Sequence, residues 1–255
     1  MDETGYLDNH LAGLSVTARW CDIADKGTAD CAMFCRCDDG SDYAVKDTSK
    51  HPSHPHSEYL CTKLGEMVGL ASPPCRIVDV NGVLSFGSRW ETGHEPNGWW
   101  TKAKAGEIDF ALLAPTLSRI LAFDLFVHNE DRHLTNYIVR PQRTGIALLA
   151  FDYSRAWLWH GFPPPDLPLP MCKTLGAHRY LRQEFGDFLS VDDVAHVLRN
   201  IRDVSAVRIE SLILEQPREW LTEEQRDAIL NWWQSDARLS RIDQIEGGIA
   251  SGAFL

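Results

Sequence analysis

A run of nine mostly polar residues, His128 to Asn136, interrupts the most apolar part of the sequence. It follows the long apolar segment Phe110 to Val127, and we predict a buried helix over Asp109 to Val127. It precedes the short apolar run Ile138 to Arg140, which predicts a strand. The polar residues are therefore expected to form a loop that is anchored at both ends.

Two carboxylates and an amide stand at positions that suit a single site. Asp131 and Asn136 are five positions apart, and Asp152 directly follows a second apolar strand, Ala147 to Phe151. If the two strands pair as a hairpin, Asn136 and Asp152 lie at the same end of it. Such oxygens are hard ligands for Mg²⁺ that bridges phosphates, and Asp131 could accept the proton of an attacking hydroxyl. The pattern indicates phosphoryl transfer, and a polar loop whose side chains only cap turns is the alternative.

The first ninety residues alternate short apolar runs with turn signals, which is typical of a small sheet. The predicted elements are two hairpins and one helix: strands Ala32–Arg36, Tyr43–Asp47, Cys75–Val80 and Val83–Phe86, and a helix over Glu58–Val68. Asn81-Gly82 is a strong signal for the tight turn of the second hairpin. The opening of the chain is therefore predicted to be a small β region with one helix.

From residue 91 onward the pattern is mainly helical. The helices predicted after the two strands are Ala177–Leu189, Val191–Asn200, Val204–Glu215 and Thr222–Ser235. We therefore predict two domains: a β-sheet region with one helix, 1–90, and a mainly helical region with the catalytic and metal loops, 91–255. A cleft between two such regions is a common place for a ligand.

The segment Asp131-Arg132-His133-Leu134-Thr135-Asn136, followed by Asp152, resembles the active-site motif of atypical kinases. HipA-like kinases, phosphatidylinositol kinases and aminoglycoside phosphotransferases share this form. The run Phe86-Gly87-Ser88-Arg89 is most similar to the HipA-like family, and the resemblance covers most of residues 25 to 160. It implies an α+β, two-lobed protein-kinase-like fold, with a small β-rich N-lobe and a larger, mainly helical C-lobe.

The resemblance also implies the cofactors, ATP and Mg²⁺, and the residues that bind them. Asp131 would be the catalytic base, and Asn136 and Asp152 would hold the metal. Lys46 would act as a second catalytic residue by neutralising phosphate charge. The other nucleotide-binding residues implied are Gly27, Thr28, Glu58, Phe86, Ser88, Arg89 and His133. Arg132 is left with two alternatives, a contact to phosphate or a bond to a nearby carbonyl.

An enzyme of this kind would transfer the γ-phosphoryl group of ATP to a Ser or Thr hydroxyl on a protein. Two alternatives stay open: a small-molecule phosphotransferase of the aminoglycoside-kinase type, and a nucleotide-binding pseudokinase that acts as a protein-interaction module. A protein substrate, and an antitoxin or other regulatory protein, are the partners that the resemblance implies.

The charge balance of the chain excludes some partners. The formal net charge is -11, with 36 Asp and Glu against 25 Lys and Arg. Non-specific nucleic-acid binding depends on clustered cations, and anionic membranes attract basic segments. We therefore expect no direct nucleic-acid contact and no membrane contact. The acidic N-terminus lacks the pattern of a secretory signal, so the expected location is cytoplasmic.

Two clusters of cysteine and histidine residues could suggest metal sites, but we expect neither to bind metal. The seven cysteines are expected to be reduced thiols. Zinc is disfavoured at Cys31, Cys35 and Cys37, because a tetrahedral site needs four converging ligands. The second cluster, interleaved with prolines, is expected to be a mobile loop and consists of His51, His54 and His56.

Overall fold

The computed structural model describes residues 13–23, 30–31, 33–91, 98–143, 145–167 and 171–254. Its strands are β1 (Ser15–Ile23), β2 (Met33–Cys37), β3 (Asp42–Lys46), β4 (Cys75–Val80), β5 (Val83–Arg89), β6 (Tyr137–Gln142) and β7 (Gly145–Ala150). Its helices are α1 (His54–Met67), α2 (Trp99–Lys104), α3 (Ala114–Phe126), α4 (Lys173–Phe185), α5 (Val191–Asp203), α6 (Ala206–Leu214), α7 (Glu223–Gln234) and α8 (Asp236–Ala250). The predicted α+β class is confirmed.

The first five strands close into a barrel in the order β1-β2-β3-β5-β4. Strand β1 closes it by pairing antiparallel with β2 and parallel with β4. Both predicted hairpins, β2–β3 and β4–β5, are confirmed. The second turns at Asn81 and Gly82, whose φ angles of 54° and 88° are the left-handed values that a tight hairpin turn requires. In β5 a side chain on Gly87 would lie 2.4 Å from Val78, so the two strands can pack this closely only with glycine there.

Helix α1 begins at His54 rather than at the predicted Glu58. Pro55 lies in its first turn, where the missing N–H costs no helical hydrogen bond. The side chains of His54 and His56 are consequently packed inside the protein, at 1% and 0% exposure. The mobile-loop prediction is wrong for these two histidines, because the prolines that suggested a loop start a helix instead.

The main hydrophobic core forms around helix α3, which packs against α5 and α8 and receives one face of α1. The predicted helix over Asp109 to Val127 is shorter than expected. Asp109 caps a separate 3₁₀ turn over Phe110–Leu112, accepting a hydrogen bond from the backbone N–H of Ala111. Pro115 then stands in the first turn of α3. The core therefore holds α3 rigidly and fixes the point where the polar run begins.

The predicted hairpin after the polar run is confirmed. Strands β6 and β7 pair antiparallel, with Tyr137 opposite Ala150. Beyond this last pair, the backbone N–H of Phe151 donates to the carbonyl of Asn136 at 3.2 Å. Asn136 and Asp152 therefore leave the same end of the hairpin, as the sequence predicted.

The sequence analysis did not predict β1, α2 or α8. Strand β1 carries charged residues among its apolar ones, which hides its alternation. Because β1 was missed, its pairing with β2 was missed too. Cys21 lies directly opposite Cys35 in this pairing, and the two form a disulfide. The reduced-thiol prediction is therefore wrong for this pair.

No helix in the described ranges combines the length and apolarity needed to cross a bilayer.

Candidate active site

A cavity of about 520 Å³ lies where the barrel meets the loops that follow α3 and β7. The structure brings together, on the wall of this cavity, all predicted site residues within the described ranges: Lys46, Glu58, Phe86, Ser88, Arg89, Asp131, His133, Asn136 and Asp152. Gly27 and Thr28 lie outside the described residues. Their assignment to phosphate binding stays a prediction.

Lys46 is at the centre of a buried group of polar side chains. Its Nζ lies 2.5 Å from Glu58 Oε1, 2.8 Å from Asp152 Oδ1 and 2.7 Å from the hydroxyl of Ser154. The Ser154 hydroxyl also lies 2.8 Å from Glu58 and 3.1 Å from Asp152. Lys46 belongs to the barrel, Glu58 to α1, and the other two to the loop after β7. One ammonium group thus joins three separate parts of the fold.

The charges of this group depend on each other. Burial alone would lower the pKa of Lys46, but Asp152 and Glu58 outweigh burial and raise that pKa. Burial would raise the pKa of Asp152, yet the Lys46 ammonium holds it well below its ordinary value. Burial raises the pKa of Glu58, a rise that Lys46 opposes. At neutral pH the Lys46–Asp152 pair is therefore ionised.

Asn136 and Asp152 supply the oxygens that could hold a divalent metal. The contacts of Asp152 with Lys46 and Ser154 all use Oδ1, so none of them uses Oδ2. The backbone of Asp152 has a φ of 68°, a left-handed value that is uncommon for a residue with a side chain and that often occurs at functional sites. Carboxylate and amide oxygens are the donors that Mg²⁺ prefers. The donor set at this end of the hairpin therefore fits magnesium.

Arg132 holds the polar run to the core. It is fully buried, and it donates to both carboxylate oxygens of Asp124: Nε to Oδ2 and Nη2 to Oδ1, each at 2.9 Å. Its Nη1 donates to the carbonyls of Phe151 and Asn136, and its guanidinium lies 4.7 Å from the ring centre of Tyr153. Of the two sequence alternatives, the carbonyl contact is confirmed. Arg132 thereby links the Asp131 loop to the Asp152 loop.

Asp131, the neighbour of Arg132, points instead toward a group of basic side chains. Its Oδ1 lies 2.6 Å from Lys173 Nζ and 3.3 Å from His133 Nε2, and its Oδ2 lies 3.4 Å from Arg155. Arg155 also contacts Asp30 at 3.2 Å, which joins the loop after β7 to the residues before β2. The carboxylate of Asp131 is thus accessible from the cavity and surrounded by positive charge.

Another part of the cavity wall is apolar and suits a flat ring. The edge of Phe34 meets Trp90 at a centroid distance of 4.9 Å, and Phe86 and Ile138 are among the other lining residues. Glu91 lies beside them and pairs with Arg140 through Oε2. Its Oε1 is buried and lies 3.8 Å from Arg89 Nη2, but it has no hydrogen bond to a described residue. A ligand hydroxyl or amine could supply the missing donor.

A second group of possible metal ligands lies next to Asp131. His128, Glu130 and His160 are the one such trio found in the described part of the chain. The two histidines lie 3.1 Å from different oxygens of Glu130, while Arg241 Nη2 approaches Nδ1 of His128 at 3.2 Å. Arginine can only donate, so the proton of a neutral His128 is on Nε2 and faces Glu130. A metal-bound histidine shows the reverse arrangement. We therefore interpret the trio as a hydrogen-bonded support for the loop.

Several residues of this site were not found from the sequence: Asp30, Asp124, Ser154, Arg155 and Lys173. Asp124 gave a usable signal, because a lone carboxylate inside a very apolar helix needs a buried partner. Lys173 and Arg155 gave none, since exposed cations are common and only the fold brings these two to Asp131.

The comparisons with known proteins identify a family. The sequence profile described as "HipA-like kinase" matches residues 23–157, more than half of the chain. The chain belongs to the HipA-like kinase family, and the resemblance seen in the sequence is confirmed. No curated protein matches the sequence.

The solved structures that are similar to the chain include two bacterial proteins. The Helicobacter pylori proinflammatory kinase CtkA has a TM-score of 0.58 and 15% identity, over 94% of this chain and 99% of that one. This likeness shows a shared fold. The HipA protein of the Shewanella oneidensis MR-1 toxin-antitoxin system, determined with HipB and operator DNA, has a TM-score of 0.46 and 12% identity, over 81% of this chain and 60% of that one.

Proposed function

We propose that this protein is a kinase that transfers the γ-phosphoryl group of ATP, with Mg²⁺, to a Ser or Thr hydroxyl on a protein. One observation carries the proposal. A carboxylate, a buried lysine in an ion pair and two metal-type oxygen donors converge on one cavity, together with an apolar slot for a base. These are the parts that phosphoryl transfer requires, because catalysis of that reaction is mostly positioning and charge stabilisation.

The proposal includes a two-lobed, kinase-like division of the fold. The barrel with α1 would be the small lobe, over residues 1–90, and the helical part, over 91–255, the larger one. The cavity is lined from both regions, and the pairs Lys46–Asp152 and Asp30–Arg155 join them. Ligand pockets are frequent at such junctions.

In this mechanism Lys46, held by Glu58, neutralises phosphate charge at the inner end of the cavity. Asn136 and Asp152 would hold Mg²⁺, which would offset phosphate charge. Asp131 orients the acceptor hydroxyl and takes its proton. Arg132 fixes the distance between the Asp131 loop and the Asp152 loop. Phe86, Ser88, Arg89 and Glu91 line the part of the cavity that would receive the nucleoside.

The acceptor class rests on family membership and on charge. HipA-like kinases are the family matched, and the net charge of -11 does not favour an anionic lipid surface. An antitoxin or other regulatory protein partner stays a prediction, as does a cytoplasmic location.

The proposal is tested by incubating the protein with γ-labelled ATP, Mg²⁺ and a cell lysate, beside an Asp131→Asn variant. Asparagine keeps the shape of the side chain but cannot accept the proton. We expect labelled protein bands with the wild type and a loss of labelling of about 10²-fold or more with the variant. Labelling confined to a small molecule would favour the phosphotransferase alternative. Bound ATP without any labelled product would favour the pseudokinase alternative.

A further inference from the structure

The positive charge around Asp131 is not explained by stability. The side chain of Lys173 is 54% exposed and that of Asp131 22% exposed, although their charged atoms are 2.6 Å apart. Ion pairs at this level of exposure contribute little to folding, because water and salt screen them. His133 Nε2 lies 3.2 Å from Lys173 Nζ and so belongs to the same group. The arrangement places an exposed cation directly beside the proposed base.

The backbone of Lys173, in contrast, is held tightly to the loop that carries Asp131. Its N–H donates to the carbonyl of Glu130 at 3.0 Å. The next residue, Thr174, is fully buried, accepts a hydrogen bond from the N–H of Arg132 at 3.1 Å and donates to the carbonyl of Asn129. The start of α4 is therefore held to residues 129–132, so the backbone of Lys173 is fixed while its side chain is exposed to solvent.

Lys46 is not placed to act as the cation beside Asp131. Its ammonium group is enclosed by Glu58, Asp152 and Ser154 at distances of 2.5 to 2.8 Å, on the metal side of the cavity. The acceptor side, where Asp131 stands, needs its own cation, because the transferring phosphoryl group carries negative charge on its outer oxygens. Lys173 is the cation nearest to the Asp131 carboxylate among the described residues.

We propose that Lys173 is a further catalytic residue, whose ammonium group moves from Asp131 to the transferring phosphoryl group. This inference rests on the proposed function. In the step, the acceptor oxygen bonds to the γ-phosphorus while its proton passes to Asp131. The bond from the γ-phosphorus to the bridging oxygen breaks, and its electron pair leaves with ADP. Lys173 releases the Asp131 carboxylate as that group gains the proton, and it offsets the charge of the phosphoryl oxygens.

The proposal assigns a role to a part of the chain that the family profile does not reach. The match ends at residue 157, and Lys173 lies beyond it, at the start of α4. The helical part would then contribute a reacting group in addition to supporting the site.

The test compares Lys173→Met, Lys173→Arg and Lys104→Met. Lys104 is a matched control, because its Nζ pairs with Glu184 at the same 2.6 Å, its side chain is 45% exposed, and neither residue lines the cavity. Two readouts are measured, the kcat of Mg-ATP hydrolysis and the affinity for Mg-ADP with and without aluminium fluoride, which mimics the transferring phosphoryl group. We expect Lys173→Met to lower kcat about 10- to 100-fold. The gain in Mg-ADP affinity that aluminium fluoride produces should fall by a similar factor. Mg-ADP affinity should stay within about threefold, since Lys173 meets only the transferred group.

Lys173→Arg should recover most of the loss, and Lys104→Met should match the wild type. The proposal is overturned if Lys173→Met keeps wild-type kcat and a wild-type response to aluminium fluoride. The proposal is also overturned if Lys173→Met lowers the affinity for Mg-ADP by the same factor as it lowers kcat.

A double variant separates a direct role from an indirect one. If Lys173 only positions Asp131, Lys173→Met should have no further effect on aluminium fluoride binding in an Asp131→Asn background. We expect the effect to persist there, and its disappearance would contradict the proposal. Failure of the proposed function would look different, because the wild type itself would then neither hydrolyse Mg-ATP nor bind Mg-ADP more tightly with the mimic.

Discussion

Asp131 and Arg132 are neighbours in the sequence but lie in opposite environments. Arg132 and its partner Asp124 have fully buried side chains, whereas Asp131 and its partner Lys173 are 22% and 54% exposed. The first pair holds two loops together inside the core. In the second pair Asp131 lines the cavity, and Lys173 is exposed beside it. The comparison teaches that successive residues of one short loop can have different roles. One side chain is buried and stabilises the fold, and the next is placed at the cavity.

The largest expected difference between the two residues is in activity. Asp131→Asn should remove phosphoryl transfer, as described above, while its free energy of unfolding stays within about 1 kcal/mol of the wild type, because its ion pairs are partly exposed. Urea unfolding measured beside the label-transfer assay checks this. A variant that loses activity and stability together would show that Asp131 is mainly structural.

Arg132→Met should have the opposite profile. It leaves the Asp124 carboxylate buried without its counter-charge, so we expect a loss of about 3–5 kcal/mol in the free energy of unfolding. Arg36→Met is the matched control, since Arg36 pairs with Asp42 at 2.7 Å but both side chains are about half exposed. That control should lose less than about 1 kcal/mol. Equal losses in the two variants would remove the distinction between the buried and exposed pairs.

The free energy of unfolding should fall in mild acid because several histidines are buried. Burial lowers the pKa of His54, His56 and His128 from 6.5 to about 4, and that of His178 to about 3. Between these values the unfolded chain binds more protons than the folded one, so stability falls as the pH drops below about 6.5. From pH 7 to 5 each of these histidines should cost about 1–2 kcal/mol. Glu58, whose pKa is raised by burial, acts in the opposite direction but is a single group.

Urea midpoints at pH 7, 6 and 5 measure this effect. The window lies above the range in which carboxylates with lowered pKa values, such as Asp152, lose their contribution. A variant His178→Phe should show a shallower loss, because the unfolded chain then has one histidine fewer that gains a proton in this window. A flat stability profile between pH 7 and 5 would contradict the burial of these histidines.

The residues that the sequence predicted well are those that carry a local pattern. The polar run, the β6–β7 hairpin and the Asn81-Gly82 turn depend on neighbouring residues, so periodicity and turn chemistry were sufficient. Closure of the barrel by β1 and the Cys21–Cys35 disulfide depend on long-range pairing, which no local window contains.

The same distinction holds within the site. Asp131, Asn136 and Asp152 were found because they follow strands or a helix that are apolar and easily recognised. Lys173 was not found, since forty-two positions separate it from Asp131 and only the hydrogen bonds at the start of α4 bring them together. The His54 helix start was misread because proline signals both loops and first turns of helices.

Binding of Mg-ATP is the measurement that tests the central claim most directly. The melting temperature of the wild type and of Asp152→Ala should be recorded with ATP alone, with Mg²⁺ alone and with both. A ligand at a hundredfold excess over its Kd stabilises the native state by about 2.7 kcal/mol, so the wild type should melt clearly higher with both present. Asp152→Ala should lose most of this shift, because it lacks the carboxylate that would hold the metal. An unchanged wild-type melting temperature with Mg-ATP, or an equal shift in Asp152→Ala, would contradict the account.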